Sequence, residues 1–352
     1  MMFETLGLEN FTAREASVML GLLLGLVFGA LAQRSRFCLR RGLVGPAAER
    51  SSALGVWLIA LAVGVLSTQA AVAAGLIDFT DHRFLTADLP VLAILAGGAL
   101  FGAGMVLTKG CVSRLTVLTG QGNLRALLVL VVFAITAHAT LKGVLAPLRV
   151  SLGSVTLPLG EYASLSALPG GAVWALVIAG LAFAVAARSG ARPAHLVMAA
   201  MIGLLVTAGW VGTGFVLFDD FDPIAMESLS FTSPASETLF WTIASSAIPA
   251  GFGTGLVGGV IIGSAIMALI FKEFRFESFE APAQTGRYLT GAVMMGTGGV
   301  LAGGCSVGAG LAGVPTLGAS ALLAIAAIAT GALVAQAALS AKTPHGAVVL
   351  AE

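Results

Sequence analysis

Hydrophobic positions in this chain come in long, nearly unbroken runs, separated by short polar clusters. Runs long enough to cross about 30 Å of hydrocarbon recur near residues 16–33, 51–77, 89–108, 124–146, 170–188, 194–218, 238–271, 288–302 and 316–340. The run 238–271 exceeds one crossing and contains Pro249, Gly251, Gly253 and Gly255, so it is expected to break into a short helix and a full one. The run 288–302 is short for a crossing. Segments of both kinds are how broken or re-entrant helices look in a sequence. The pattern predicts an all-α polytopic membrane protein with about nine transmembrane helices plus short re-entrant helices.

The polar clusters alternate in sign. Arg34, Arg36, Arg40, Arg41 and Arg50 follow the first run; Asp78, Asp81 and Asp88 follow the second, with Arg83 as the one base. Lys109, Arg114 and Arg125 come next, then Arg188 and Arg192, whereas 219–237 holds Asp219, Asp220, Asp222, Glu227 and Glu237 without a base. Arginine-rich loops stay in the cytoplasm. That rule puts the N-terminus outside and the C-terminus in the cytoplasm. It also predicts that 219–237 is an outside loop.

Composition narrows the classes further. Charged residues make up 10% of the 352 and hydrophobic ones 58%, against about a quarter charged in soluble domains. So few charges exclude a soluble enzyme and a disordered chain, and a net charge of +1 gives no bulk attraction to nucleic acid. Glu4, Glu9 and Glu15, with no basic stretch, argue against a cleavable signal peptide.

The chain also repeats itself. Residues 97–111, GGALFGAGMVLTKGC, align without gaps on 291–305, GAVMMGTGGVLAGGC, with seven identities that include Gly110/Gly304 and Cys111/Cys305. On the expected topology one copy descends and the other ascends. This makes two pseudo-symmetric inverted repeats, 14–150 and 170–341, joined by 151–169. Transporters built this way place their substrate where broken helices meet near the midplane.

Three cysteines stand out: Cys111 in TKGCVSRL, Cys305 in AGGCSVGAG, and Cys38 at the basic end of the first run, outside the repeat. Gly110 and Gly304 allow a tight turn and close approach of a ligand. Ser113 and Ser306 add hydroxyl donors, and helix starts favour an anion. Lys109 flanks the first turn only. A lone buried cysteine is ordinarily a small hydrophobe, but packing alone would accept Ala or Ser in both matched turns. Scattered histidines without a Cys-x-x-Cys give no metal site, and no Walker A sequence or Ser-His-acid order is present. No cofactor is expected. His138 and Lys142 share one helix face and read either as a functional polar face or as a Lys snorkelling near the boundary. The ladders Gly21, Gly25, Gly29 and Gly251, Gly255, Gly259, Gly263 read as packing seams.

The SRFC run ending at Cys38, the GAGMVLTKGC turn and the GGCSVGAG turn together resemble the three cysteine motifs of the YeeE/YedE family of bacterial sulfur-compound transporters. The likeness covers nearly the whole chain. It implies an inner-membrane importer of thiosulfate or a related sulfur anion, with Cys111 and Cys305 as the central pair, Cys38 as the third site, and the ion handed along by thiol hydrogen bonds. It also implies a separate TusA-like sulfur-carrier protein on the cytoplasmic side, since the chain carries no such domain. The chemistry is compatible: a neutral thiol donates weakly to a dianion, and a transport site has to release what it binds. The alternative is a membrane-embedded sulfur relay, in which a cysteine takes sulfane sulfur as a persulfide and passes it to a carrier. Because Cys38 sits at the rim, its loss is expected to be the mildest of the three.

Overall fold

A computed structural model describes residues 11–171, 173–219 and 222–342. Glu4, Glu9, Asp220 and the C-terminus lie outside those residues. The described chain is almost wholly helical, and its one small sheet pairs β1 (Asp88–Leu89) antiparallel with β2 (Leu157–Pro158). Among the described residues eight helical segments are long and apolar enough to cross a membrane, and Val173–Ala187 is a ninth, shorter apolar helix.

Local sequence sets the element ends. Helix α1 (Ala13–Ser35) begins with a Thr12/Glu15 capping box and ends at Arg36, whose left-handed backbone (φ 53°) turns the chain inward to the short α2 (Leu39–Val44). Then follow α3 (Ala47–Ala73), α4 (Val91–Leu107), α5 (Val112–Gly120) and α6 (Leu124–Lys142), which Asn123 caps by accepting from the Ala126 amide at 2.9 Å. Next come α7 (Ala146–Gly153), α8 (Val173–Ala187), α9 (Pro193–Val211), α10 (Thr232–Ile243), α11 (Phe252–Ile270) and α12 (Pro282–Leu301). A π-wound segment, Ser306–Gly313, leads on to α13 (Ala319–Lys342).

The long apolar run does break, between α10 and α11. The run at 288–302 is longer than its hydropathy suggests. Pro282 opens the helix, and Gln284, Thr285 and Arg287 in its first turns hide a full 20-residue element. Residues 219–237 also depart from a simple outside loop: Leu229, Phe231 and Ser236 are buried and α10 starts inside the bundle, where Phe231 packs on Phe28 with ring centroids 5.4 Å apart.

Glycine seams hold the bundle. Gly21, Gly25 and Gly29 of α1 lie against Phe252, Leu256 and Val260 of α11, while Gly255, Gly259 and Gly263 lie against Val18, Leu22 and Leu26, so the two helices run parallel in backbone contact. Added Cβ atoms at these six positions would collide with carbonyl oxygens of the partner helix. We expect Gly25→Leu or Gly259→Leu to force the pair apart, at a cost of about 3 kcal/mol or more in lost packing. Thermal unfolding of the detergent-solubilised variants checks this, and an unchanged midpoint contradicts it.

The two Gly-Cys copies pack on each other. Helices α4 and α12 run antiparallel: a Cβ on Gly97 would lie 2.7 Å from the Gly298 oxygen, and one on Gly291 would lie 2.8 Å from the Gly104 oxygen. Each crossing helix then breaks. α4 stops at Leu107 and resumes as α5 after Cys111, and α12 stops at Leu301 and resumes as the π segment after Cys305. Basic turns gather on one face, where Arg34, Arg36, Arg41 and Arg192 line one cavity; Asp78, Asp81, Glu227 and Glu237 line a cavity on the other face.

Candidate functional site

Each cysteine occupies the same local position, the N-cap of a short helix. Cys38 caps α2 (φ −169°, ψ 119°), Cys111 caps α5 (φ −82°, ψ 167°), and Cys305 caps the π segment (φ −92°, ψ −176°). In all three the amide three residues on lies beside the sulfur: Arg41, Arg114 and Gly308. At Cys305 it closes a bond, with the Gly308 amide donating to Sγ at 3.3 Å. An extended residue followed by helix leaves amides pointing back at the cap, and these favour negative charge.

The tertiary structure brings the three caps together. All are buried, at 3%, 1% and 0% relative exposure for Cys38, Cys111 and Cys305. The Cys38 thiol faces that of Cys111, and the hydroxyls of Ser113 and Ser306 lie beside Cys111, with Ser113 Oγ 3.2 Å from its Sγ. Cys305 stands further off, within electrostatic reach of Cys111. Cys38 is therefore not a rim residue, as its basic neighbours suggest. The left-handed turn at Arg36 folds it back into the core.

The flanking glycines are less alike than the alignment implies. The left-handed residue of each turn lies one position earlier, at Lys109 (φ 58°) and Gly303 (φ 74°). A Cβ on Gly110 would find 3.6 Å of clearance, whereas one on Gly304 would lie 2.8 Å from the Ala309 nitrogen. Thr108 Oγ1 donates to the Gly110 oxygen at 2.8 Å and holds the first turn. Lys109 is exposed, and its charged neighbours are Arg287, Arg40 and Arg125 rather than the cysteines. His138 and Lys142 also stand apart. His138 stacks on Phe240 at 3.8 Å and lies 3.1 Å from Ser236 Oγ, and Lys142 interacts with Glu237, so both serve the α10 contact.

A cavity of about 540 Å³ leads from the acidic face to Gly308, the residue that bonds Cys305. Its walls include Arg83, Glu227, Trp210 and Ser230, and Trp210 Nε1 donates to the Ala312 oxygen at 3.2 Å, pinning the π segment. Burial pushes the Glu227 carboxyl up to about 7; the nearby Glu237 charge adds to this and Arg83 opposes it. Burial beside Arg83 brings His82 down to about 4, so it is neutral at ordinary pH. No sequence motif marked this vestibule; the single base among acids at 78–88 was the signal for Arg83.

Two broken helices, meeting back to back and presenting thiol-capped turns between cavities on opposite faces, are the construction of a membrane transporter. The chain belongs to the sulphur-transport (YeeE/YedE) family, whose profile matches residues 34–334. The thiosulfate transporter TsuA of Escherichia coli (strain K12) is 28% identical to it over 293 residues, which cover 75% of this chain and 78% of the relative. The thiosulfate transporter TsuA of Spirochaeta thermophila is 29% identical over 123 residues, covering 35% of this chain and 36% of the relative.

Proposed function

We propose that this protein imports thiosulfate, or a closely related sulfur oxyanion, across the inner membrane, passing the ion from Cys305 to Cys111 and Cys38 through S–H hydrogen bonds. The observation that carries this reading is the convergence of three buried, N-capping thiols between the two cavities. A dianion moving through dry protein needs donors at each step, and weak ones let it go. The thiols and the hydroxyls of Ser113 and Ser306 supply such donors. The names of the two relatives support thiosulfate as the ion.

The same reading assigns the acidic face to the periplasm and the arginine face to the cytoplasm, following the positive-inside rule. It makes 14–150 and 170–341 inverted repeats. The contacts of Gly97 with Gly298 and of Gly291 with Gly104 support that symmetry, because exchanging the aligned positions turns one contact into the other. A separate TusA-like carrier would receive the sulfur compound at the arginine face. Uptake of labelled thiosulfate into proteoliposomes, competed by sulfate, sulfite and selenium analogues, tests the function. Stable cysteine persulfide with sulfite release and no intact ion delivered would establish the sulfur relay instead.

The vestibule gives this function a pH dependence. Above about pH 7 Glu227 is charged and repels a dianion approaching Cys305; below it the carboxyl is neutral and Arg83 dominates. His82 stays neutral throughout this range. Uptake is expected to rise about three- to fivefold as external pH falls from 8 to 6, the effect of removing one charge several ångströms from the ion. Glu227→Gln should transport at pH 8 as wild type does at pH 6, with a flat profile. A wild-type-shaped profile in Glu227→Gln refutes the assignment.

A further inference from the structure

We propose that the open cavity between the ends of α1, α5 and α11 is a second anion site, which holds a small divalent sulfur oxyanion on the arginine face, just beyond the cysteines. The cavity measures about 380 Å³, and Arg36, Arg41, Arg114, Lys272 and Arg275 line it with Glu273 as the one carboxylate among its described residues. Five bases against one acid is a large surplus in so small a space.

Arg114 joins this cavity to the cysteines. It follows Cys111 by three residues, in the first turn of α5, and feels the charges of Arg36 and Arg41 as well as the thiols of Cys38 and Cys111. Its Nη1 is shielded from solvent and has no hydrogen-bond partner. A guanidinium nitrogen withdrawn from water without a partner is costly, and an anion is the complement that removes the cost. The nearby carboxylate does not serve: Glu273 accepts from Gln33 and pairs with Arg34 at 3.8 Å. Arg41 is held in place by Glu49 at 2.6 Å and by the Arg36 oxygen at 3.1 Å, which fixes the wall of the cavity.

The ligand class follows from the donors. Planar guanidinium forks match the oxygens of a tetrahedral oxyanion better than they match chloride. Gln33, Arg36, Arg41 and Glu273 also line the neighbouring cavity of about 420 Å³, so the site opens toward the arginine face. An ion leaving Cys38 and Cys111 would reach Arg114 next. Anion bound there from the same side would oppose further exit and slow import as product accumulates. The proposal rests on the transport reading for the identity of the ion and the direction of exit; the existence of the site does not.

The test separates the two. The full-length protein carrying Cys38→Ala, Cys111→Ala and Cys305→Ala lacks the thiol route and is titrated with labelled sulfate at constant ionic strength. One saturable site is expected. Adding Arg114→Gln should weaken it about tenfold or more, equivalent to about 1.4 kcal/mol, and Arg114→Lys should recover part of the loss. Arg192→Gln, which lines only the neighbouring cavity, should change it less than about twofold. If Arg114→Gln does not fold, Arg275→Gln, which lines this cavity and not the neighbouring one, gives the same reading. No saturable binding in the thiol-free protein, or an equal loss with Arg192→Gln, overturns the site. Wild-type thiosulfate uptake, measured separately, decides the transport reading whichever way the binding falls.

Discussion

Replacing Cys111 or Cys305 with alanine is expected to reduce thiosulfate uptake by about 10- to 150-fold while leaving the fold intact. On the proposed relay, each change removes one S–H donor from a desolvated ion, a loss of about 1.5–3 kcal/mol for a bond to a charged group. Both thiols are buried, so water does not replace the donor. Alanine in these caps removes one small atom; at Cys305 it also takes the acceptor from the Gly308 amide, at a cost of about 1–3 kcal/mol, while Trp210 still pins the π segment and Thr108 still holds the turn before Cys111. Cys38→Ala belongs with these two. Sequence position made it the mildest, but its thiol faces Cys111 in the core. Serine should restore partial activity, since it keeps a donor but shortens its reach. Uptake rates at matched incorporation, with thermal midpoints as the folding control, settle the matter. Normal transport by both Cys111→Ala and Cys305→Ala would make the cysteines packing residues.

The second large effect separates two residues that the alignment treats as equivalents. Gly304→Ala should abolish most transport, whereas Gly110→Ala should retain it within about twofold. At Gly304 the new Cβ would lie 2.8 Å from the backbone nitrogen of Ala309, inside the π segment that Cys305 caps. That backbone can yield only by moving, and the movement carries Cys305 and the Gly308 amide with it; misplacement by about an ångström costs roughly a hundredfold where positioning matters. At Gly110 the nearest atoms would be side-chain carbons of Arg114 and Leu115 at 3.6 Å, an ordinary contact. Equal losses in the two variants would show that the turns are conformationally equivalent and that the steric argument is wrong.

Much of this architecture was legible in one dimension. Runs of apolar residues predict crossings because lipid offers the backbone no hydrogen bonds, so each run has to satisfy its own as helix. The break before α11 could be read from Pro249 and its glycines, and the seams from glycines spaced four apart, since only a residue without a side chain lets two helix backbones touch. The Gly-Cys pairing of 97–111 with 291–305 pointed to the two broken helices.

Other features depended on how distant segments fold against one another. A left-handed Arg36 has no signature in its neighbours, yet it returns Cys38 to the core beside Cys111. The same applies to 219–237, whose acids suggest an exposed loop although Leu229, Phe231 and Ser236 are buried. Composition reports the average environment of a segment, and here polar and buried residues alternate too closely for an average to separate them. Glu227 and Arg83 lie 144 positions apart by their numbering and share one cavity only after α3, α9 and α10 have packed. Local sequence thus determined that this protein crosses the membrane, where its helices break and which residues cap them. Which caps meet, and which charges share a cavity, was decided by tertiary packing, because those are relations between segments that no single segment encodes.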